Sequence, residues 1–139
     1  MIAVGIERSM WQDAAFGVRQ LVDIAERALS PGTNDPTTAV QALDQLHDLL
    51  AFLMTRTIPS PYRVAEDGVL HLYLPRPGWD EYVSLAIDEI REYGADSSQV
   101  RTRLRFLLDD PLERAPVARR PALLRQLEKL ESVVTTTRS

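Results

Sequence analysis

Arg19, Asp23 and Arg27 recur at every fourth residue, so a helix would set them on one face, and Gln12 and Phe16 continue the row toward the N-terminus. Two guanidiniums flanking a carboxylate can hold a substrate carboxylate or phosphate while Asp23 orients them. The same row also fits a salt-bridge ladder on a solvated or inter-helix face, where each exposed pair contributes little. Directly downstream, Ser30-Pro31-Gly32-Thr33-Asn34-Asp35-Pro36 gathers hydroxyl, amide and carboxylate groups at the start of a second helix. Free N–H groups at a helix start can bind anions. Asp35 works against that use, because a carboxylate cap occupies those donors and repels further negative charge. Pro36 suits the first helical position and holds Asp35 extended, so Asp35 is expected to accept from the amides of Thr37 or Thr38. The loop is also placed to latch Arg27 or Ser30. The candidate ligand-binding set is Gln12, Arg19, Asp23, Arg27, Ser30, Asn34 and Asp35.

Other constellations are thinner. Asp44 and His47 at i, i+3, with Asp48 adjacent, make half of a helix-borne carboxylate–histidine metal motif, and nothing in the spacing of His71 completes it. No metal site or cofactor is expected, and His47 reads as an ordinary exposed histidine. No nucleophile elbow, P-loop or dinucleotide fingerprint occurs, so catalysis has no motif behind it. Arg101, Arg103, Arg105, Arg119 and Arg120 form a local basic patch, read as solvated surface, with anionic headgroups as the alternative partner at a membrane. Only Lys129 among the 16 basic residues is not arginine, a bias that reflects a GC-rich bacterial genome better than guanidinium chemistry. At a net charge of −4 the chain lacks the basic balance of a nucleic-acid binder.

These residues need elements to hold them. The 139 residues, 45% of them hydrophobic, suffice for the core of one domain spanning 1–139. Its longest apolar run, Leu49 to Met54, is far short of the roughly 20 residues that span a bilayer, and no signal peptide is visible. Without cysteine there is no disulfide, thiolate metal site or cysteine nucleophile. Apolar spacings of three and four predict helices over Asp13–Leu29 and from Pro36 to about Thr55, joined as an αα-hairpin. In the loop, Pro31-Gly32 predicts a type II turn with Gly32 at positive φ. After the proline-rich Ile58-Pro59-Ser60-Pro61, Tyr62–Ala65 and Val69–Leu74 predict a β-hairpin around Glu66-Asp67-Gly68, with Leu70, Leu72 and Leu74 facing the helices. Met1–Ile6 is read either as a third strand or as the trimmed end of something upstream.

A third helix is expected from Trp79 to Tyr93, closed by Gly94 in a left-handed cap. A fourth starts at Ser97 or Ser98 and stops before Pro111. The fifth runs from about Pro121 to Val134 with Leu123, Leu124, Leu127 and Leu130 inward, and Thr135–Ser139 frays. The fold class is mainly α, a bundle of about five helices with a small β-hairpin between the second and third.

The string Gln12-Asp13-Ala14-Ala15-Phe16-Gly17-Val18-Arg19-Gln20-Leu21-Val22-Asp23-Ile24-Ala25, followed by Arg27-Ala28-Leu29-Ser30-Pro31-Gly32 and Asn34-Asp35-Pro36-Thr37-Thr38-Ala39, resembles the signature of the bacterial predicted membrane proteins grouped as domain of unknown function 2254. The match is specific over about Gly5 to Leu53. It departs at Ser9, where threonine is usual, and at Thr33, where a bulkier apolar residue is usual. Members carry transmembrane helices ahead of this region. The resemblance therefore implies the C-terminal soluble part of a larger membrane protein, reaching the membrane through segments absent from this chain, with Met1 a truncation start and the cytoplasmic side the expected location. The family brings no established catalytic residues. The expected role is a non-enzymatic regulatory, ligand-sensing or assembly domain, as a homo-oligomer. The alternative is an enzyme acting on a small anionic substrate through Asp23 or Asp35 with Arg19 and Arg27.

Overall fold

Five helices carry the structure: α1 (Ile2–Leu29), α2 (Pro36–Leu53), α3 (Trp79–Tyr93), α4 (Ser98–Leu112) and α5 (Arg120–Arg138), the last preceded by a 3-10 turn at Val117–Arg119. This computed structural model describes the backbone of residues 2–58, 62–64, 68, 70–73 and 78–138 and the side chains of 10–58 and 78–132. Between α2 and α3, β1 (Tyr62–Val64) and β2 (Leu70–Tyr73) run antiparallel, with Tyr62 opposite Tyr73 and Arg63 opposite Leu72. The expected Glu66-Asp67 turn positions, and the leucine face of the second arm, lie outside the described residues.

Each helix is amphipathic, and the apolar stripes decide the neighbours. Along α1, Trp11, Ala14, Val18, Val22, Ala25 and Ala28 are buried, and along α2, Ala39, Ala42, Leu43, Leu46, Leu50 and Leu53. Ala25 and Ala28 of α1 and Ala39 and Ala42 of α2 sit at the turn end, where small side chains let the axes approach. At the far end, the Trp11 indole N–H donates to the Thr57 carbonyl at 2.8 Å, so the pair is antiparallel. The Tyr82 hydroxyl of α3 donates to the Trp11 carbonyl at 3.0 Å, with the rings tilted at 5.1 Å between centroids. α1 thus packs on α2 and α3, α4 on α2, and α5 on α3 and α4, which closes the helices around one core that includes Leu43, Ile87, Leu104, Leu107 and Leu123.

Arg119 ties the end of α2 to this arrangement. Its guanidinium donates to the carbonyls of Leu53 (2.9 Å), Met54 (2.5 Å) and Arg56 (2.5 Å), groups a helix end leaves unsatisfied. It also stacks over Trp79 at 5.4 Å, whose indole N–H donates back to the Arg119 carbonyl at 2.9 Å. Burial pulls its affinity for the proton below the ordinary arginine value.

Several boundaries differ from the sequence reading. The expected third strand at the N-terminus is not found over Ile2–Ile6: from Ile2 the backbone is already helical, since no proline or glycine pair interrupts the turns leading into Asp13. α4 runs through Pro111 to Leu112, because a proline in the last turn forfeits one bond and gains a buried place for its ring. The helical backbone of α5 extends to Arg138, beyond the expected end at Val134. Gly94 has φ −96°, outside the left-handed region. Glycine is needed there for space, since a Cβ would overlap Val100 Cγ1 and press on the Ile90 carbonyl. Leu124, placed inward by spacing, is exposed, as is Tyr93 at the end of α3, and Gln126 takes an inward place on α5.

Candidate functional site

The loop between α1 and α2 closes by hydrogen bonds back to the helix it leaves. The amides of Thr33 and Asn34 donate to the Ser30 carbonyl at 3.0 and 2.8 Å, and that of Asp35 donates to the Ala28 carbonyl at 2.6 Å. Its left-handed residue is Asn34 (φ 43°), which corrects the expected positive φ at Gly32. φ does not turn positive at Pro31, Gly32 or Thr33, and asparagine tolerates the reversal because its short side chain crowds little. The Ser30 hydroxyl donates to the Arg27 carbonyl at 2.8 Å.

Asp35 is an N-cap. Its carboxylate accepts from the Thr38 amide at 3.2 Å and from the Thr38 hydroxyl at 2.5 Å. Those two bonds, the hydroxyl first, hold its pKa below the ordinary aspartate value. Of the predicted set, Asn34 lines an open cleft of about 710 Å³ between this loop and the α3–α4 connection, together with Glu92, Tyr93, Asp96 and Ser97. Arg19, Asp23 and Arg27 are not among its lining residues. They lie exposed with Gln12 on the outer face of α1, and none has a side-chain ion pair among the described residues. Sequence spacing placed them on one face, and the fold leaves that face uncovered.

On the α1–α3 side, the carboxyls of Glu26 and Glu89 share a hydrogen bond. That bond, with burial and the charges of Glu89 and Asp23, raises the pKa of Glu26 to about 7.

A denser polar cluster joins α2 to α4, and the reading of His47 as an exposed histidine is corrected by it. His47 is 7% exposed. Its Nε2 lies 2.7 Å from Asp110 Oδ2, and its Nδ1 lies 3.1 Å from an Arg103 guanidinium nitrogen. Arginine only donates, so Nδ1 must accept; the ring proton is therefore assigned to Nε2, which donates to Asp110. Arg103 Nε also pairs with Asp44, Arg114 bonds Asp110 at 3.1 Å, and Phe106 meets the imidazole edge-on at 5.3 Å. Arg103 Nη1 is buried with no hydrogen-bond partner among the described residues. Among the same residues no three acidic or imidazole groups converge as metal ligands. The cluster ties two helices together with both imidazole nitrogens engaged.

The basic patch is dispersed in the same way. Arg101 donates to the Ala95 carbonyl, Arg103 to Asp44, Arg119 to the end of α2 and Arg120 to the Ala115 carbonyl (2.9 Å), so the expected solvated patch is mostly a set of internal ties. Asp44 and His47 on α2, with Arg103, Phe106 and Asp110 on α4, are each at helical spacings, a signal readable only once α2 and α4 are known to be neighbours.

Fold and site together define a helical bundle whose internal polar groups join helices and whose longest helix has an uncovered outer face. The chain belongs to the family described as predicted membrane protein (DUF2254), whose model matches residues 1–110. It is similar to the uncharacterized protein Mb1321c of Mycobacterium bovis, at 38% identity over 130 residues, covering 88% of this chain and 25% of that protein. The uncharacterized protein Rv1290c of Mycobacterium tuberculosis matches to the same extent. The chain thus spans about a quarter of the length of these curated relatives. No solved structure matches it. Among the described residues no helix is long and apolar enough to cross a membrane.

Proposed function

We propose that this region is a non-enzymatic assembly domain of a larger membrane protein, working through the outer face of α1 rather than through a catalytic pocket. One observation carries the reading. Phe16 and Ile24, 63% and 45% exposed, share that face with charged side chains that have no ion-pair partner among the described residues, whereas Asp35 is engaged in capping α2 and His47 in joining α2 to α4. Large apolar side chains rimmed by unpaired charge fit a surface awaiting a partner. Attachment to the membrane by other parts of the longer protein agrees with the family description and with relatives four times the matched length.

The test is the double variant Phe16→Glu with Ile24→Glu in the full-length membrane protein. Assembly followed by chemical crosslinking should be lost while the bundle stays folded. A saturable rise in melting temperature with phosphate or a simple carboxylate, abolished by Arg19→Ala or Arg27→Ala, would instead favour the small anionic substrate and overturn the assembly reading.

A further inference from the structure

Asp13, Phe16, Gln20, Ile24 and Arg27 are all exposed on α1 and are separated by three, four, four and three residues. At about 100° per residue they fall within roughly 80° of arc, nearly opposite the buried stripe of Trp11, Val18, Val22 and Ala25. The spacing reads the same in both directions from Gln20. The chemistry does not: an acid and an aromatic lie on one side, an aliphatic and a base on the other. A stripe of that kind is complementary to itself when one copy is turned end for end.

From this we infer that α1 is an isologous interface, on which a second copy of the chain packs antiparallel with the two-fold axis at Gln20. The inference rests on the assembly reading and names its partner. In that pairing Phe16 of each copy meets the partner's Ile24, twice, and Asp13 meets the partner's Arg27, twice, as two-fold symmetry requires. Arg19 and Asp23 lie together on one flank. With the axis at Gln20, each Arg19 stands about two residue rises, ~3 Å, along the helices from the partner's Asp23, an offset a long arginine side chain spans, which gives the row of alternating charge a rim. Parallel packing would bring Asp13 against Asp13 and Arg27 against Arg27, so the charges select the antiparallel arrangement.

The chain has no cysteine, so single cysteines introduced on α1 report without background. Gln20→Cys, on the axis, should oxidise to a crosslinked dimer at least about tenfold faster than Gln12→Cys. In the antiparallel pair two Gln12 residues stand ~24 Å apart along the helices, far beyond disulfide reach. Arg27→Asp alone and Asp13→Arg alone should each weaken self-association by about tenfold, and the double swap should restore it to within about threefold. Thermal melts serve as the check that these exposed substitutions leave the bundle folded. Crosslinking as fast at residue 12 as at residue 20, or a double swap that fails to rescue, would overturn the pairing. A chain that stays monomeric at every concentration would overturn it too; assembly lost on Phe16→Glu/Ile24→Glu in the longer protein would then point to another partner for the same face.

Discussion

The outer face of α1 and the seam between α2 and α4 are built from the same residue types, and the bundle treats them oppositely. At the seam, His47, Asp110, Arg103 and Asp44 are drawn into hydrogen bonds, and the imidazole is nearly removed from water. On α1, Asp13, Arg19, Asp23 and Arg27 find no ion-pair partner among the described residues, although two large apolar side chains stand beside them. Charged residues at helical spacing therefore say little by themselves. What a neighbouring helix brings decides whether they hold a fold together or remain available to another molecule.

Removing a seam member gives the largest expected effect. His47→Ala leaves Arg103 and Asp110 facing each other across a void, one guanidinium nitrogen already lacking a partner. The loss of stability in urea titration should be roughly 2–3 kcal/mol. A loss no larger than that of an exposed α1 residue would break the comparison. The next effect is at the cap: Asp35→Ala should lower the melting temperature by roughly 3–5 °C, and Asp35→Asn by much less, because asparagine caps nearly as well. Equal losses for both would mean that the charge itself is needed.

A smaller effect comes from the carboxyl pair at the α1–α3 contact. Glu26 titrates near 7 when folded, against an ordinary value of 4.5, so the folded chain holds its proton more tightly than the unfolded one. This stabilisation is fully present below pH 4.5 and is lost as pH rises through 7. Glu89→Gln removes the repulsion. It should raise the melting temperature at pH 8 by about 1–3 °C and flatten the change between pH 6 and pH 8, on the scale expected of exposed charges. The smallest effect is expected on α1 itself: Arg19→Ala and Arg27→Ala should move the melting temperature of the isolated bundle by about 1 °C or less. A larger drop in either would mean that the residue braces the fold.

Much of this architecture could be read from local chemistry. The apolar stripes of α1 and α2, the first-turn place of Pro36, the cap at Asp35 and the start of α4 at Ser97 are decided within a few residues, and the structure keeps each. What escaped depended on contacts that no helical repeat contains, some of them distant in the chain. His47 and Arg103 are 56 residues apart, and only the α2–α4 contact buries them. Gly94 is set by the approach of Val100 and Gln126 by the acceptors and donors of α3, none of which a helical repeat reveals. The turn misassigned to Gly32 has the same origin, since the loop's return bonds to Ala28 and Ser30 place the left-handed residue at Asn34. The row Arg19, Asp23 and Arg27 was legible as a face, whereas its lack of a covering helix was not.

The claim that the outer face of α1 joins two copies is tested most directly by light scattering across a concentration series, on the chain and on Phe16→Glu. The account predicts that the mass of the chain rises toward twice 15.7 kDa, while Phe16→Glu stays at the single-chain value and still unfolds cooperatively. A mass of 15.7 kDa for the chain at every concentration, or a dimer that Phe16→Glu leaves intact, would contradict it.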